Sequence, residues 1–259
     1  MSYIWKAIKI SVIVVVSAFA LWIIYEVVTF PRVWRLKNEN PETTSMIETR
    51  IEEARREGRE PKRVQQWVPL SRISPELQRA VLAGEDTNFV RHNGFDYEAI
   101  RKAWEEGQRE ANEEAKGEGD SDDSGWIPDL SKFKRGGSTI SQQLAKNLYL
   151  SSERSFARKA RETVYTYFME RSLSKCRILE IYLNVIEWGD GIYGAEAAAR
   201  TYFNKSAADL TAEEAAKLSA MIPNPRTVFN PTTNPKRVRR RARVIMKGMP
   251  SIVLPNCSG

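Results

Sequence analysis

Glu85 and Asp86 stand together at the foreseeable end of a helix, followed by Asn88-Phe89 and His92-Asn93-Gly94. A carboxylate placed there can act as a general base if its surroundings are partly apolar, because desolvation raises its pKa. Phe89 can supply such a wall; the alternative is a helix-end salt bridge. Farther on, Arg158 and Glu162 lie one helical turn apart, which by itself also describes a solvated ion pair. Lys146, Arg154 and Arg158 form a spaced set of cations that can neutralise a diphosphate as it leaves. Carboxylates and cations without a metal cluster or an evident Ser or Cys nucleophile suggest glycosyl chemistry.

Composition narrows the alternatives. The 259 residues carry a net charge of +7, so an anionic partner suits the chain. The single histidine, His92, and the two cysteines, Cys176 and Cys257, exclude a His/Cys zinc cluster and a disulfide framework. A Ser-His-Asp triad would have to use His92. The Ser172-x-x-Lys175 match has no Lys-Thr-Gly partner and reads as chance.

The residues between the carboxylates set out a helix. Gly136-Gly137 allow a tight approach, and Ser138 or Thr139 can cap the helix that begins there. Thr139, Gln143 and Lys146 share one face, while Ile140, Leu144 and Leu148 share the other. The apolar face packs, so the polar one meets solvent or a polar ligand rich in hydroxyls and phosphate.

Helix signals continue along the chain. Ser74-Pro75-Glu76 starts the helix that delivers Glu85, and 96–104 reads as a second. Helices are expected over 156–174 and 175–188, then at 195–202 and after the capping box at Thr211-Glu214. The glycines at 189, 191 and 194 mark a loop. Residues 236–243 form a basic helix, read as a solvated face unless it grips anionic lipid or polymer. Strand signals are scarce and no internal repeat is seen, so the domain is mainly α.

The first 30 residues decide the compartment. From Ile10 to Phe30 the only charge is Glu26, and the run is long enough to cross a bilayer. Ala18-Phe19-Ala20 resembles a signal-peptidase site, but the apolar run continues beyond it, favouring a retained anchor. Lys6 and Lys9 before the span and Arg32, Arg35 and Lys37 after it barely discriminate orientation. A nine-residue tail is easily left in the cytoplasm, which puts the rest outside. The expected organisation is a cytoplasmic tail 1–9, an anchor 10–30, a juxtamembrane stalk 31–66 with one exposed helix, a catalytic domain 67–250 and a tail 251–259. Within it, 105–130 is an acidic connector whose Glu, Asp, Gly and Ser content over 105–123 reads as a mobile loop.

Four motifs occur in order: Glu85-Asp86-x-x-Phe89-x-x-His92-x-Gly94, the run 136–147, Arg158-Lys159-x-x-Glu162, and Ile178-Leu179-Glu180-x-Tyr182-Leu183-Asn184. Together they resemble glycosyltransferase family 51, the peptidoglycan glycosyltransferases, and among these the monofunctional type with an anchor and one catalytic domain. The resemblance implies a lysozyme-like, two-lobed helical domain behind one transmembrane helix. It implies polymerisation of lipid II into β-1,4 glycan strands with inversion and release of undecaprenyl diphosphate. It makes Glu85 the base toward the acceptor hydroxyl and Glu162 the second carboxylate, with Lys146 and Arg154 on the diphosphate. Asp86, Phe89, His92, Ser138, Thr139, Gln142, Gln143, Asn147, Arg158 and Lys159 match substrate-lining or supporting positions, and Glu180 and Asn184 hold the fold. No organic cofactor is implied; a divalent cation, Mg2+ or Mn2+, is allowed near Glu162. The implied partners are lipid II, the growing strand, the membrane and other cell-wall synthesis proteins, with no nucleic acid. The implied place is the inner membrane, single-pass, with the catalytic domain in the periplasm.

Two features fit this pattern loosely. The acidic connector is long for the family. Cys176 is unexpected in an oxidising compartment, where it is either buried or paired with Cys257. A lysozyme-type hydrolase on the same scaffold is the main rival, although it has little use for Lys146 and Arg154. A non-enzymatic anchored module using 236–243 is a third reading.

Overall fold

A computed structural model describes residues 2–102, 105, 108, 138–150 and 155–257. The chain divides into two units, Met1–Val33 and Trp34–Gly259. The first is dominated by α1 (Ser2–Val28), a helix of 27 residues and about 40 Å. Its apolar side chains are exposed, and it is long and apolar enough to cross a membrane.

The second unit is mainly helical. Its elements are α2 (Ser45–Arg56), α3 (Pro75–Glu85), a helix covering 97–102 (α4), α5 (Ile140–Tyr149), α6 (Phe156–Ser172), α7 (Lys175–Val185), α8 (Ala195–Phe203), α9 (Ala212–Met221) and α10 (Pro235–Gly248). The starts follow the expected caps. Ser74 caps α3 with Pro75 in its first turn, and Thr139–Gln142 and Thr211–Glu214 form capping boxes on α5 and α9. The acidic connector 105–130 lies outside the described residues except at positions 105 and 108.

Helix α7 ends at Val185, three residues before the expected 188, because the chain turns into a small sheet. In it β1 (Val64–Gln65) runs parallel to β3 (Ile192–Tyr193), and β2 (Glu187–Gly189) runs antiparallel to β3. Gly194 ends this ribbon at φ +82°, where an added Cβ would meet the Asn184 carbonyl oxygen at 2.7 Å. Trp188, Tyr193 and Tyr182 fill the core beside this turn.

The segment read as a stalk is built into the folded unit. Ile47 and Ala54 of α2 are buried, one apolar stripe along the helix. From the same side Arg50 reaches Glu187 on β2 (3.2 Å) as well as Glu53 (2.8 Å). Glu53 also holds Arg226 (3.1 Å), which extends to Asp190 (3.3 Å). The helix is therefore docked rather than exposed.

Glu180 and Asn184 fasten α7 to the preceding strand–loop region. Glu180 accepts the Leu70 N–H (2.8 Å), and the Asn184 amide exchanges two 2.9 Å bonds with the Val68 backbone. Cys176 and Cys257 are joined in a disulfide with their Cα atoms 5.7 Å apart.

Candidate active site

Glu85 is the last residue of α3, and the packing of that helix end determines its surroundings. Ser219 of α9 donates to the Ala80 carbonyl (2.7 Å). At Gly84 an added Cβ would lie 2.7 Å from the Ser219 hydroxyl and 3.2 Å from Ile245 of α10. Glycine there lets both helices close on α3. Arg241 of α10 then reaches the Gly84 carbonyl (3.0 Å) and the Glu85 carboxylate (2.8 Å).

The other carboxylate oxygen of Glu85 accepts from the Gln143 amide (3.0 Å). That amide also donates to the Ser138 carbonyl (3.3 Å), and its oxygen accepts from the fully buried Tyr182 hydroxyl (2.8 Å). The Glu85 side chain is only 9% exposed. Burial pushes its pKa up, opposed by the Gln143 hydrogen bond, Arg241 and Lys146.

Asp86 turns away from this arrangement and holds it together. One oxygen accepts the Ile140 N–H at the start of α5 (2.9 Å), and the other pairs with His92 Nε2 (2.8 Å). A carboxylate on a helix N-terminus is favourably placed. His92 Nδ1 accepts the Gly94 N–H (3.2 Å), which assigns the ring proton to Nε2. Thr139 donates to the Gly94 carbonyl (2.7 Å), and Gln142 completes the cap. Phe89 is buried against the His92 ring and beneath the Lys175 ammonium, 4.5 Å from its ring centre. Asp86, His92, Thr139 and Gln142 thus spend their polar groups on internal bonds. Asp96 also approaches Asp86 and His92, but it caps Ala99 and accepts from Asn88.

Among the described residues, a cavity of about 180 Å3 adjoins Glu85 and another of the same volume adjoins its partner Gln143. One is lined by Glu85, Asp86, Asp96, Ser138 and Thr139. The other is lined by Gln143, Lys146, Asn147, Glu187, Asn224 and Arg226, among others. Within the second, Asn147 Oδ1 and Glu187 Oε1 are buried acceptors without a partner among the described residues. Lys146 is half-buried; burial lowers its pKa, and Glu162 is the main opposing charge. Glu85 raises it further, so the ammonium stands in the field of both carboxylates.

Glu162 lines neither of these cavities. It is buried on α6, where Arg158 (3.1 Å) and Lys159 each take one of its oxygens. Both oxygens are thus engaged by cations of α6, and a divalent ion there would have to share the carboxylate with them. Arg158 Nε is buried without a partner among the described residues. Arg154 lies outside the described residues, as do Gly136 and Gly137.

Sequence reasoning missed Arg241, which was part of a basic run read as surface. Val238, Ala242 and Ile245 are buried at helical spacing, and Arg241 stands three residues after the first and four before the last. That stripe was the available signal. Arg50, Glu187 and Arg226 were missed too, because their pairings join segments far apart in the chain.

A family profile described as transglycosylase matches residues 51–121 and 126–250. A biosynthetic peptidoglycan transglycosylase of Thiobacillus denitrificans is 43% identical over 241 residues, covering 93% of this chain and 95% of that protein. Proteins of the same name from Dechloromonas aromatica and Bordetella pertussis are 44% identical over 216 residues and 40% over 248. They cover 83% and 95% of this chain, and 84% and 95% of their own lengths.

Proposed function

The chain belongs to the transglycosylase family, and from that premise we propose that it is a peptidoglycan glycosyltransferase that polymerises lipid II into β-1,4 glycan strands for the cell wall. The observation that carries the site assignment is the Glu85–Gln143 bond beside Lys146. A buried carboxylate sits on the Gln143 amide, and the half-buried Lys146 lines a cavity with that same glutamine.

Glu85 takes the proton from the acceptor sugar's 4-hydroxyl as that oxygen attacks the donor's anomeric carbon. The new C1–O4 bond forms on the face opposite the breaking bond to the diphosphate, giving inversion. The departing undecaprenyl diphosphate gains negative charge, and Lys146 stabilises it in a partly desolvated setting where a fixed charge counts most. Arg154 joins Lys146 there by motif resemblance. Glu162 fixes Arg158 and Lys159 along α6, and so shapes the positive potential around the leaving group. Ser138 and Asn147 line the cavities for sugar hydroxyls or amides.

The anchor α1 keeps the enzyme where a lipid-linked substrate lies. We place the catalytic domain on the periplasmic side of the inner membrane, single-pass. The Cys176–Cys257 disulfide supports that side, since structural disulfides persist in oxidising compartments. The membrane, the growing strand and other cell-wall synthesis proteins are its partners.

The test is polymerisation of lipid II by the purified full-length protein, with Glu85→Gln beside the wild type. Glycan strands should disappear with the variant; strands formed at the wild-type rate would remove Glu85 from the role of base.

A further inference from the structure

We propose that Arg241 is a positioning residue for the reaction, orienting the Glu85 carboxylate and supplying its counter-charge. This rests on the reading of Glu85 as the base. The two carboxylate oxygens have different partners: a neutral amide holds one and the Arg241 guanidinium holds the other. An ionised carboxylate has about four lone-pair positions. Two hydrogen bonds therefore fix its plane and leave room for an incoming hydroxyl.

Arg241 is itself held from three sides. It donates to the Gly84 carbonyl, its guanidinium lies 5.4 Å from the Phe229 ring centre, and its helix is seated by Val238, Ala242 and Ile245. The remaining cations of α10, namely Lys236, Arg237, Arg239, Arg240, Arg243 and Lys247, are exposed. One arginine of a solvent-facing run has been turned inward onto the base.

The other polar or charged groups around Glu85 do not replace it. Lys146 of α5 acts on Glu85 through its field, and Glu162 is the opposite charge with the larger effect on Lys146 itself. Gln143 and, through it, Tyr182 of α7 are neutral. Asp86 follows Glu85 in the chain, and Asp96 at the start of α4 lines the same cavity; both are acidic. Without Arg241, only the Gln143 hydrogen bond and the field of Lys146 oppose the burial that favours neutral Glu85, and a neutral carboxyl cannot accept the proton.

The experiment is kcat/KM for lipid II polymerisation against pH in full-length wild type, R241Q, R241K and E85Q, with thermal unfolding in parallel. R241Q should move the acidic limb upward by about one pH unit or more, as expected for loss of an adjacent opposite charge. R241K should restore at least half of that shift. A limb that stays in place while the rate falls uniformly assigns Arg241 to packing alone and overturns the proposal. So does R241K shifting as far as R241Q. If R241Q does not fold, the uncharged, unbranched R241M is measured against the same criteria. E85Q polymerising normally would defeat the base assignment itself, whereas inactive E85Q with an unmoved R241Q limb defeats only the role of Arg241.

Discussion

The buried hydroxyl of Tyr182 donates to the oxygen of the Gln143 amide at 2.8 Å, and this fixes the other end of that amide, the NH2 group, on Glu85. Tyr182 therefore orients the base at one remove. Tyr182→Phe leaves a buried acceptor unpaired, a cost of about 1–3 kcal/mol. We expect kcat to fall roughly 5- to 140-fold if that energy is lost from the orientation of the base, at about tenfold per 1.4 kcal/mol. KM should change less. Steady-state kinetics on lipid II decide it: a rise in KM at constant kcat would mean that Tyr182 serves substrate binding instead.

Asp86 fastens the start of α5 to the loop that carries His92. Asp86→Ala strands the Ile140 N–H and the His92 Nε2–H inside the protein. Two such groups cost about 3 kcal/mol together, which corresponds to roughly 6–12 °C in a unit of this size. Thermal unfolding checks this. An unchanged midpoint would show that the two contacts do not support the fold.

Burial raises the Glu85 pKa, so the acidic limb of the rate profile should lie above the ordinary glutamate range. The same shift has a consequence for stability. A raised folded-state pKa gives stability that is fully present below the unfolded value and lost as pH rises through the folded value. Ionised Glu85 is thus a burden at neutral pH. Glu85→Gln should raise the unfolding midpoint at pH 8 relative to wild type, with the difference shrinking toward pH 4. A midpoint that falls at pH 8 would show that the pairing with Arg241 outweighs desolvation.

The helix carrying Gln143 and Lys146 was legible from local spacing, because its cap, its apolar face and its polar face all lie within about ten residues. The roles of Glu180 and Asn184 in holding the fold came from the family resemblance, and their bonds to the Leu70 and Val68 backbone agree with it. Arg241 was hidden in a run of like charges, where composition speaks louder than the stripe of Val238, Ala242 and Ile245. The docking of α2 was less visible still. Arg50 meets Glu187 across 137 positions of sequence, and no local pattern encodes a pairing of that range. The inward turn of Asp86 also depended on tertiary contacts, since the backbone N–H that it caps belongs to Ile140.

Lys146 and Glu162 should separate kinetically. Lys146→Met removes a desolvated charge from the leaving group, and loss of such a contact costs about 100- to 1,000-fold in kcat. Glu162 acts through Arg158 and Lys159, so Glu162→Gln should lower activity less, by about tenfold, and should loosen both cations. Rate constants for the two variants under saturating lipid II provide the comparison. Equal losses would place Glu162 directly in the leaving-group step.

The Cys176–Cys257 bond closes 81 residues of chain that contain α8, α9 and α10, and therefore Arg241. In the chain-entropy description, a loop of that length stabilises the folded state by about 4.5 kcal/mol. The double variant Cys176→Ser/Cys257→Ser should then unfold about 10 °C lower or more, and reduction of the wild type should reproduce most of that loss. The bond also reports compartment. Full-length protein taken from intact cells and alkylated under denaturing, non-reducing conditions should label at neither cysteine until a reductant is added. Free thiols at both positions would remove the disulfide's support for a periplasmic catalytic domain, whereas their protection together with the thermal shift would tie the oxidised state to the stability of the helices that surround Glu85.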